Sequence, residues 1–574
     1  MYGKQIVGYV LSPVELSGGK IELTRWGEEL YRKKELAVGS LLLVKDERSK
    51  HVILTTNARE TNVLFEERSV YQALRKEGRV ERRLEGIDVG QVIMEFSLVG
   101  EVYEEGNVTR LDRPSRPPSP GSEVYQLDKE DRDVLFKGYV VDVLGKLREE
   151  YEELKDAFKF GRVIGSKDLE GLILRPKINM HLGIVGTTGS GKSFTAGALI
   201  EGIARYAREI REYKDVTTSV IVFDVHGDYV STYGDKDREI DKYETRGTYR
   251  DDIVIVSLRR SIWRDSLVLG IDFVYEEGEI SKRIVPLYTP SELAAIVKLL
   301  YGASGSGAYR SLIERLFEYE EDSENLLTIL HEYAKGNITF GEAREEIERL
   351  VDFVKDAQVE FTTNTKRAAK RALFSFLDRI KEFLRYPSGP EDNIVGPKQL
   401  IEYARRNTLV IIDLSGSGAK GIDNTIKDIA ISYVMRVLYN NLADEFRNTD
   451  NRLIFLIDEA QTFIPAKDYD TGAVLTKKVV RMIASQGRKF GFSLVLISQR
   501  PAFMDPHAFS LVNSLIVHRT AIGDAERLAR LFGLPRSIAE VFSNQRTGEA
   551  FVFGQMFGLP MRIKVRKGID KKLI

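Results

Sequence analysis

Residues 183–195 read GIVGTTGSGKSFT, and the fold follows from how this stretch must be arranged: an apolar strand, a glycine-rich loop, then a helix. Gly186, Thr187, Thr188, Gly189, Ser190, Gly191, Lys192 and Ser193 satisfy the phosphate-loop pattern, with HLGIVG before them and SFTAGALIEGIARYA after. The glycines let backbone N–H groups turn inward at a helix N-terminus, where they can cradle phosphate. Lys192 reaches the β and γ oxygens, and the Ser193 hydroxyl takes a place on Mg²⁺. Phe194, the next residue, joins the loop as a nucleotide contact. ATP and Mg²⁺ are therefore the expected cofactors.

Phosphate binding is common to kinases, switches, pumps and motors, so the surrounding chain has to decide among them. At 574 residues it is too long for one core. It contains no cysteine, which removes disulfides, thiolate metal sites and thiol catalysis, and its six histidines form no metal-ligand pattern. No run reaches the roughly 18 apolar residues of a membrane span, and MYGKQIVGYV lacks the layout of a secretory signal, so a cytoplasmic location is expected. The high content of Glu, Lys and Arg leans towards a heat-adapted source. A net charge of −1 gives no overall basic footprint, so any contact with nucleic acid has to be local.

From residue 1 to about 125, short runs of period-2 pattern such as QIVGYVLSP, KHVILTTN and GQVIMEFSLVG predict a small β-barrel or sandwich. RLDRPSRPPSPGSEVYQL (110–127), with Pro114, Pro117, Pro118 and Pro120, reads as an extended connector closing that domain. LGKLREEYEELKDAFKF then reads as a charged helix. Apolar runs of five to seven residues follow, among them SVIVFD, DIVIVSL, TLVIID, LIFLID, SLVLIS and SLIVH, and they predict a mainly parallel α/β sheet covered on both faces, over 126–574. Between about 290 and 400 the pattern turns helical, giving an insertion; a C-terminal segment covers about 535–574.

LIFLIDEAQTF ends a strand on two acids. Asp458 would complete the Mg²⁺ shell, and Glu459 would act as base on the attacking water, although an acid pair at a strand end can also be a plain helix cap. Lys192 and Asp458 are 266 residues apart (458 − 192), room for a large insertion. FSLVLISQRP puts Gln499 and Arg500 at the next strand end, where an amide can sense the γ-phosphate. FDVHGDY offers Asp224, His226 and Asp228 at the same sheet edge, a lone histidine there being more often structural than a ligand. QGRKFG supplies Arg488 on a turn, a guanidinium suited to transition-state charge.

GTTGSGKS, FDVHGDY, LIDEAQTFIP, QGRKFG and ISQRP, in this order, resemble the HerA branch of the HerA/FtsK translocases, and the N-terminal β segment resembles that family's HAS barrel. The resemblance implies a RecA-like core in a homo-hexameric ring that hydrolyses ATP between subunits and moves double-stranded DNA through a pore. It also implies work in end resection and double-strand break repair with a NurA-type nuclease docked on the barrel. By motif, Lys192 and Ser193 hold phosphate and Mg²⁺, Asp458 is the metal-side acid, Glu459 the water-activating acid and Gln499 the sensor. Arg488 is the interface arginine, with Arg519 of VHRT as a weaker alternative. Two positions depart from the pattern: Met180 stands where relatives often have Arg, and Asp228 replaces the usual Glu. Lys420, Lys467, Lys477 and Lys478 are the candidates for lining a DNA pore. Other readings stay open: a secretion or conjugation motor on the same core, and a nucleotide-gated scaffold that recruits an effector nuclease.

Overall fold

The computed structural model describes residues 5–47, 49–62, 90–105, 108–132, 134–135, 157–166, 169–174, 180–211, 216–229, 253–257, 266–268, 307–318, 326–335, 337–355, 360–380, 397–415, 422–466 and 475–565. They divide into two compact units. The first holds residues 1–206, 499–502 and 512–574; the second holds 207–498 and 503–511.

The first unit opens with strands β1 (Ile6–Glu15), β2 (Gly18–Leu23), β3 (Leu41–Lys45), β4 (Lys50–Asn62), β5 (Gly90–Glu105), β6 (Val108–Asp112) and β7 (Glu123–Gln126). Their order, β2-β1-β7-β3-β4-β5-β6, is closed by pairing of β2 with β5, so six strands form a barrel and β6 hangs on β5. Alternation sends Val7, Val10, Ile21, Leu42, Val44, Ile53, Met94, Phe96 and Val124 into one core.

The proline-rich segment is not the tether its composition suggests. Its last part is β7, which lies between β1 and β3. The prolines are held against the barrel: buried Glu101 accepts from the N–H and hydroxyl of Ser115 (3.0 and 2.7 Å), and His51 Nε2 lies 3.1 Å from the Arg116 carbonyl. Composition reports stiffness; whether a stiff segment is free or bound depends on partners distant in sequence.

The remaining strands of this unit are β8 (Ala157–Val163), β9 (Glu170–Leu174), β10 (Leu182–Val185), β17 (Ser514–Val517), β18 (Glu549–Gly554) and β19 (Met561–Val565). β10 and β17 are parallel; β18, β19, β8 and β9 extend them as antiparallel neighbours. AFKF, expected to end a helix, is instead part of β8, because pairing with β19 and β9 overrides a local helical pattern. The charged part of that stretch, 144–156, lies outside the described residues.

The second unit carries β11 (Thr218–Asp224), β12 (Ile253–Ser257), β13 (Ser266–Val268), β14 (Leu409–Asp413), β15 (Arg452–Ile457) and β16 (Phe492–Ser498). Their order is β13-β12-β14-β11-β15-β16, all parallel. β11, β14 and β16 are buried along their whole length, as uninterrupted apolar runs require. Phe223, Phe455 and Phe492 stack across β11, β15 and β16 at 6.3 and 6.0 Å between centroids.

The expected helical insertion is present as Gly307–Glu318, Leu326–Lys335, Phe340–Phe353 and Thr363–Ile380. Phe340–Phe353 starts with a capping box between Thr339 and Glu342. On Thr363–Ile380, Lys370 is paired with Glu348 and Asp352 at 3.0 and 2.8 Å.

Candidate active site

In the first unit the phosphate loop runs from the carboxyl end of β10 into the helix Lys192–Arg211. Gly186, Gly189 and Gly191 have φ of 157°, 72° and 114°. A Cβ on Gly186 would lie 2.6 Å from His518 Cβ and 2.7 Å from Ser190 Oγ, so neither the space nor the backbone accommodates a side chain there. Lys192 is buried, and its Nζ donates to the Thr187 carbonyl at 3.1 Å; Ser193 and Phe194 are exposed at the helix start. Met180 and His181 lead into β10. A glycine cradle at a helix N-terminus, with an ammonium and a hydroxyl at its mouth, fits a nucleotide phosphate and its cation.

The end of β17 shapes the loop from below. The Arg519 carbonyl accepts from Thr187 N–H and Oγ1 at 2.8 and 3.1 Å, while the Arg519 side chain is exposed, so the contact of this residue with the loop is through backbone. Gly548 N–H donates to the Ser190 carbonyl at 3.0 Å.

His518, which sequence reasoning passed over, is fully buried. Its Nδ1 donates to the Glu549 carbonyl and its Nε2 accepts from Thr195 Oγ1, both at 2.8 Å. Burial, reinforced by Lys192, holds this ring neutral and lowers its pKa to about 4. The signal was its position in VHRT, at the end of the strand beside the phosphate-loop strand.

This placement has a measurable consequence. With an ordinary value of 6.5 and a folded value of about 4, His518 contributes stability that is complete above pH 6.5 and lost as pH falls towards 4. The contribution is at most about 3 kcal/mol. The thermal midpoint of the native chain should fall more steeply over that window than that of His518→Gln; parallel curves would remove His518 as the group responsible.

Gln499 stands directly after β16, and its Oε1 accepts from Thr188 Oγ1 at 2.5 Å. The amide expected to sense phosphate is thus tied to the phosphate loop itself. Arg500 is exposed and interacts electrostatically with Asp524.

In the second unit, three adjacent strands, β14, β11 and β15, lead to Asp413, Asp224 and Asp458 at their carboxyl ends. Asp458 is buried; desolvation, with repulsion from Glu459 and Asp224, raises its pKa to about 7. A buried carboxyl among acids has unmet demand for positive charge and suits a cation ligand. Asp224, a candidate from the sequence, has a different job. Its carboxylate accepts from the N–H groups of Gly227, Asp228 and Tyr229 at 2.8, 3.1 and 2.9 Å, and so builds the turn that carries His226. Asp228 is exposed on that turn. Lys427, absent from the sequence candidates, is buried nearby, where desolvation lowers its pKa against the pull of Asp413 and Asp224. Its signal was a lysine inside the otherwise apolar face of NTIKDIAISYV.

Glu459 adopts φ 49° and ψ 42°, the left-handed region, rare outside glycine. It occupies the cap position of the short helix Ala460–Phe463, yet its side chain makes no capping bond. The carboxylate instead accepts from Gln461 Nε2 and lies 3.7 Å from His226 Nε2. His226, expected to be structural, is in fact 56% exposed and faces Glu459.

Arg488 is exposed on the single turn Gly487–Phe490, ahead of β16. Asp458 follows β15 at the opposite end of these parallel strands, about 20 Å away at strand rise. One chain therefore does not bring Arg488 to its own acids. Of the pore candidates, Lys477 is engaged internally, donating to the Pro465 carbonyl at 2.7 Å and lying 3.3 Å from buried Asp505, which also binds Arg481. That removes it as a lysine presented to DNA. Lys478 is exposed, and Lys420 and Lys467 lie outside the described residues.

Residues 158–438 match the family model for the central domain of the helicase HerA. This segment, just under half of the chain, is similar to the HerA-type P-loop ATPases. The matched segment contains the phosphate loop and the Asp224 turn and ends before Asp458. A DNA double-strand break repair helicase HerA of Sulfurisphaera tokodaii is 24% identical over 81% of this chain and 78% of its own. A probable helicase of Methanocaldococcus jannaschii is 21% identical over 99% of this chain and 92% of its own. Among solved structures, VirB4 of Thermoanaerobacter pseudethanolicus aligns with 73% of this chain and 98% of its own, with a TM-score of 0.44 and 16% identity. No helix among the described residues is long and apolar enough to cross a membrane.

Proposed function

We propose that this chain is a HerA-type ATPase and a motor on double-stranded DNA, working as a homo-hexameric ring that draws the duplex through its centre, in end resection with a NurA-type nuclease bound to the barrel. The observation that carries the reading is the Gln499–Thr188 hydrogen bond. A static phosphate-binding scaffold has no need of a strand-end amide bound to the loop. A motor does need it, because loss of the γ-phosphate has to be felt along the strand that Gln499 terminates.

In this reading Lys192 and the loop N–H groups hold the phosphates, with Ser193 and Asp458 as the protein ligands to Mg²⁺. A cation held by these residues would supply charge neutralisation for the phosphates. Glu459 takes the proton of the attacking water. Arg488 of a neighbouring copy faces the transition-state charge. The near-neutral surface agrees with DNA contacts confined to loops, which give a grip that is independent of sequence and sensitive to salt.

The test is the ATPase rate with and without linear duplex DNA. Duplex should stimulate it severalfold, with the stimulation lost as salt rises. A rate indifferent to duplex at low salt would favour the scaffold or a motor with another cargo.

A further inference from the structure

The acid turn contains a polar group that none of the roles above uses. Gln461 lies two residues after Glu459 on the turn Ala460–Phe463, and its Nε2 donates to Glu459 Oε2. A carboxylate can only accept, so the amide must present its NH₂ to Glu459 and turn its carbonyl away. That Oε1 is buried and, among the described residues, has no hydrogen-bond partner.

A buried acceptor left without a donor is a cost to the folded state. Such a cost persists where the surrounding geometry is fixed for another purpose, and the left-handed backbone of Glu459 is a second strained feature in the same three residues. The other carboxylate oxygen, Oε1, faces His226 on the turn locked by Asp224. Glu459 is thus held from two sides, and among the described residues Gln461 Oε1 stands beside it as an unsatisfied acceptor.

An attacking water must aim a lone pair at phosphorus. Its two O–H bonds then need acceptors in the protein, and one acceptor alone leaves the water free to rotate. We propose that Gln461 is a catalytic residue that orients the attacking water, its Oε1 accepting the O–H that Glu459 does not take. The inference rests on Glu459 being the base. As the new O–P bond forms, the O–H bond to Glu459 breaks and that proton passes to the carboxylate. The bond from phosphorus to the bridging oxygen breaks, and ADP leaves with the electron pair. The proton held by Gln461 stays on the new phosphate oxygen.

The experiment is Gln461→Leu in the full chain, with hydrolysis, equilibrium ATP binding and thermal midpoint measured together. Hydrolysis should fall about 10- to 100-fold while ATP affinity stays within about twofold. The midpoint should hold or rise, because a buried unsatisfied oxygen is gone. A kcat within about threefold of native would overturn the proposal, since an orienting acceptor should be worth more than that. So would a loss of kcat accompanied by a lower midpoint, the result expected of a residue that only braces Glu459. Glu459→Gln, assayed in parallel, separates the two levels: if it keeps turnover, the base assignment itself fails and this inference with it. If it is inactive while Gln461→Leu behaves as native, only the inference fails.

Discussion

Replacing Glu459 with glutamine is expected to reduce ATP hydrolysis by about 10²- to 10⁴-fold, the range associated with a general base, while ATP binding survives. The substitution keeps the size of the side chain and its hydrogen bond to a neighbouring amide. It removes only the ability to accept a proton. Asp458, the separate acid proposed for the cation, is untouched, so the nucleotide and its metal should still bind. Rate and affinity are the two measurements, and their divergence is the diagnostic. The structure supports the choice of acid because Glu459 sits at a helix cap position without capping, in a backbone conformation that costs energy. Near-normal hydrolysis by the variant would show that another group activates the water.

The second large effect belongs to Arg488. Arg488→Ala should lower hydrolysis by about 10³-fold or more, the scale on which a guanidinium at the transferring phosphoryl group acts. The geometry makes the test specific. Within one chain the arginine and Asp458 occupy opposite ends of the same parallel strands, and the proposed reading has the arginine serve a nucleotide held by another copy. In the proposed ring, mixing Arg488→Ala chains with Glu459→Gln chains would create seams in which an intact Glu459 meets an intact Arg488, and activity should partly return. No recovery at any mixing ratio would mean that the arginine does not act across an interface.

The sequence already contained the parts whose signals are local. GTTGSGKS names its own conformation, because glycine accommodates the turns while the lysine and serine supply the charge and hydroxyl. Apolar runs of five to seven residues announce buried parallel strands, and those strands place Asp458, Glu459 and Gln499 at their carboxyl ends without further information.

The tertiary structure decided whatever depends on a partner far along the chain. His518 is tied into the helix that follows the phosphate loop because Thr195, more than 300 residues earlier, donates to its ring. Asp224 looked like a ligand until three backbone N–H groups were seen to occupy it. Lys477 looked like a pore lysine until Asp505 and Pro465 were found at its tip. The proline-rich segment looked like a tether until β7 was found between β1 and β3. In each case the residue type fixes what a group can do, but a hydrogen bond or ion pair made across the fold fixes what it is left able to do. That allocation is written in distances, which periodicity and spacing along one chain do not encode.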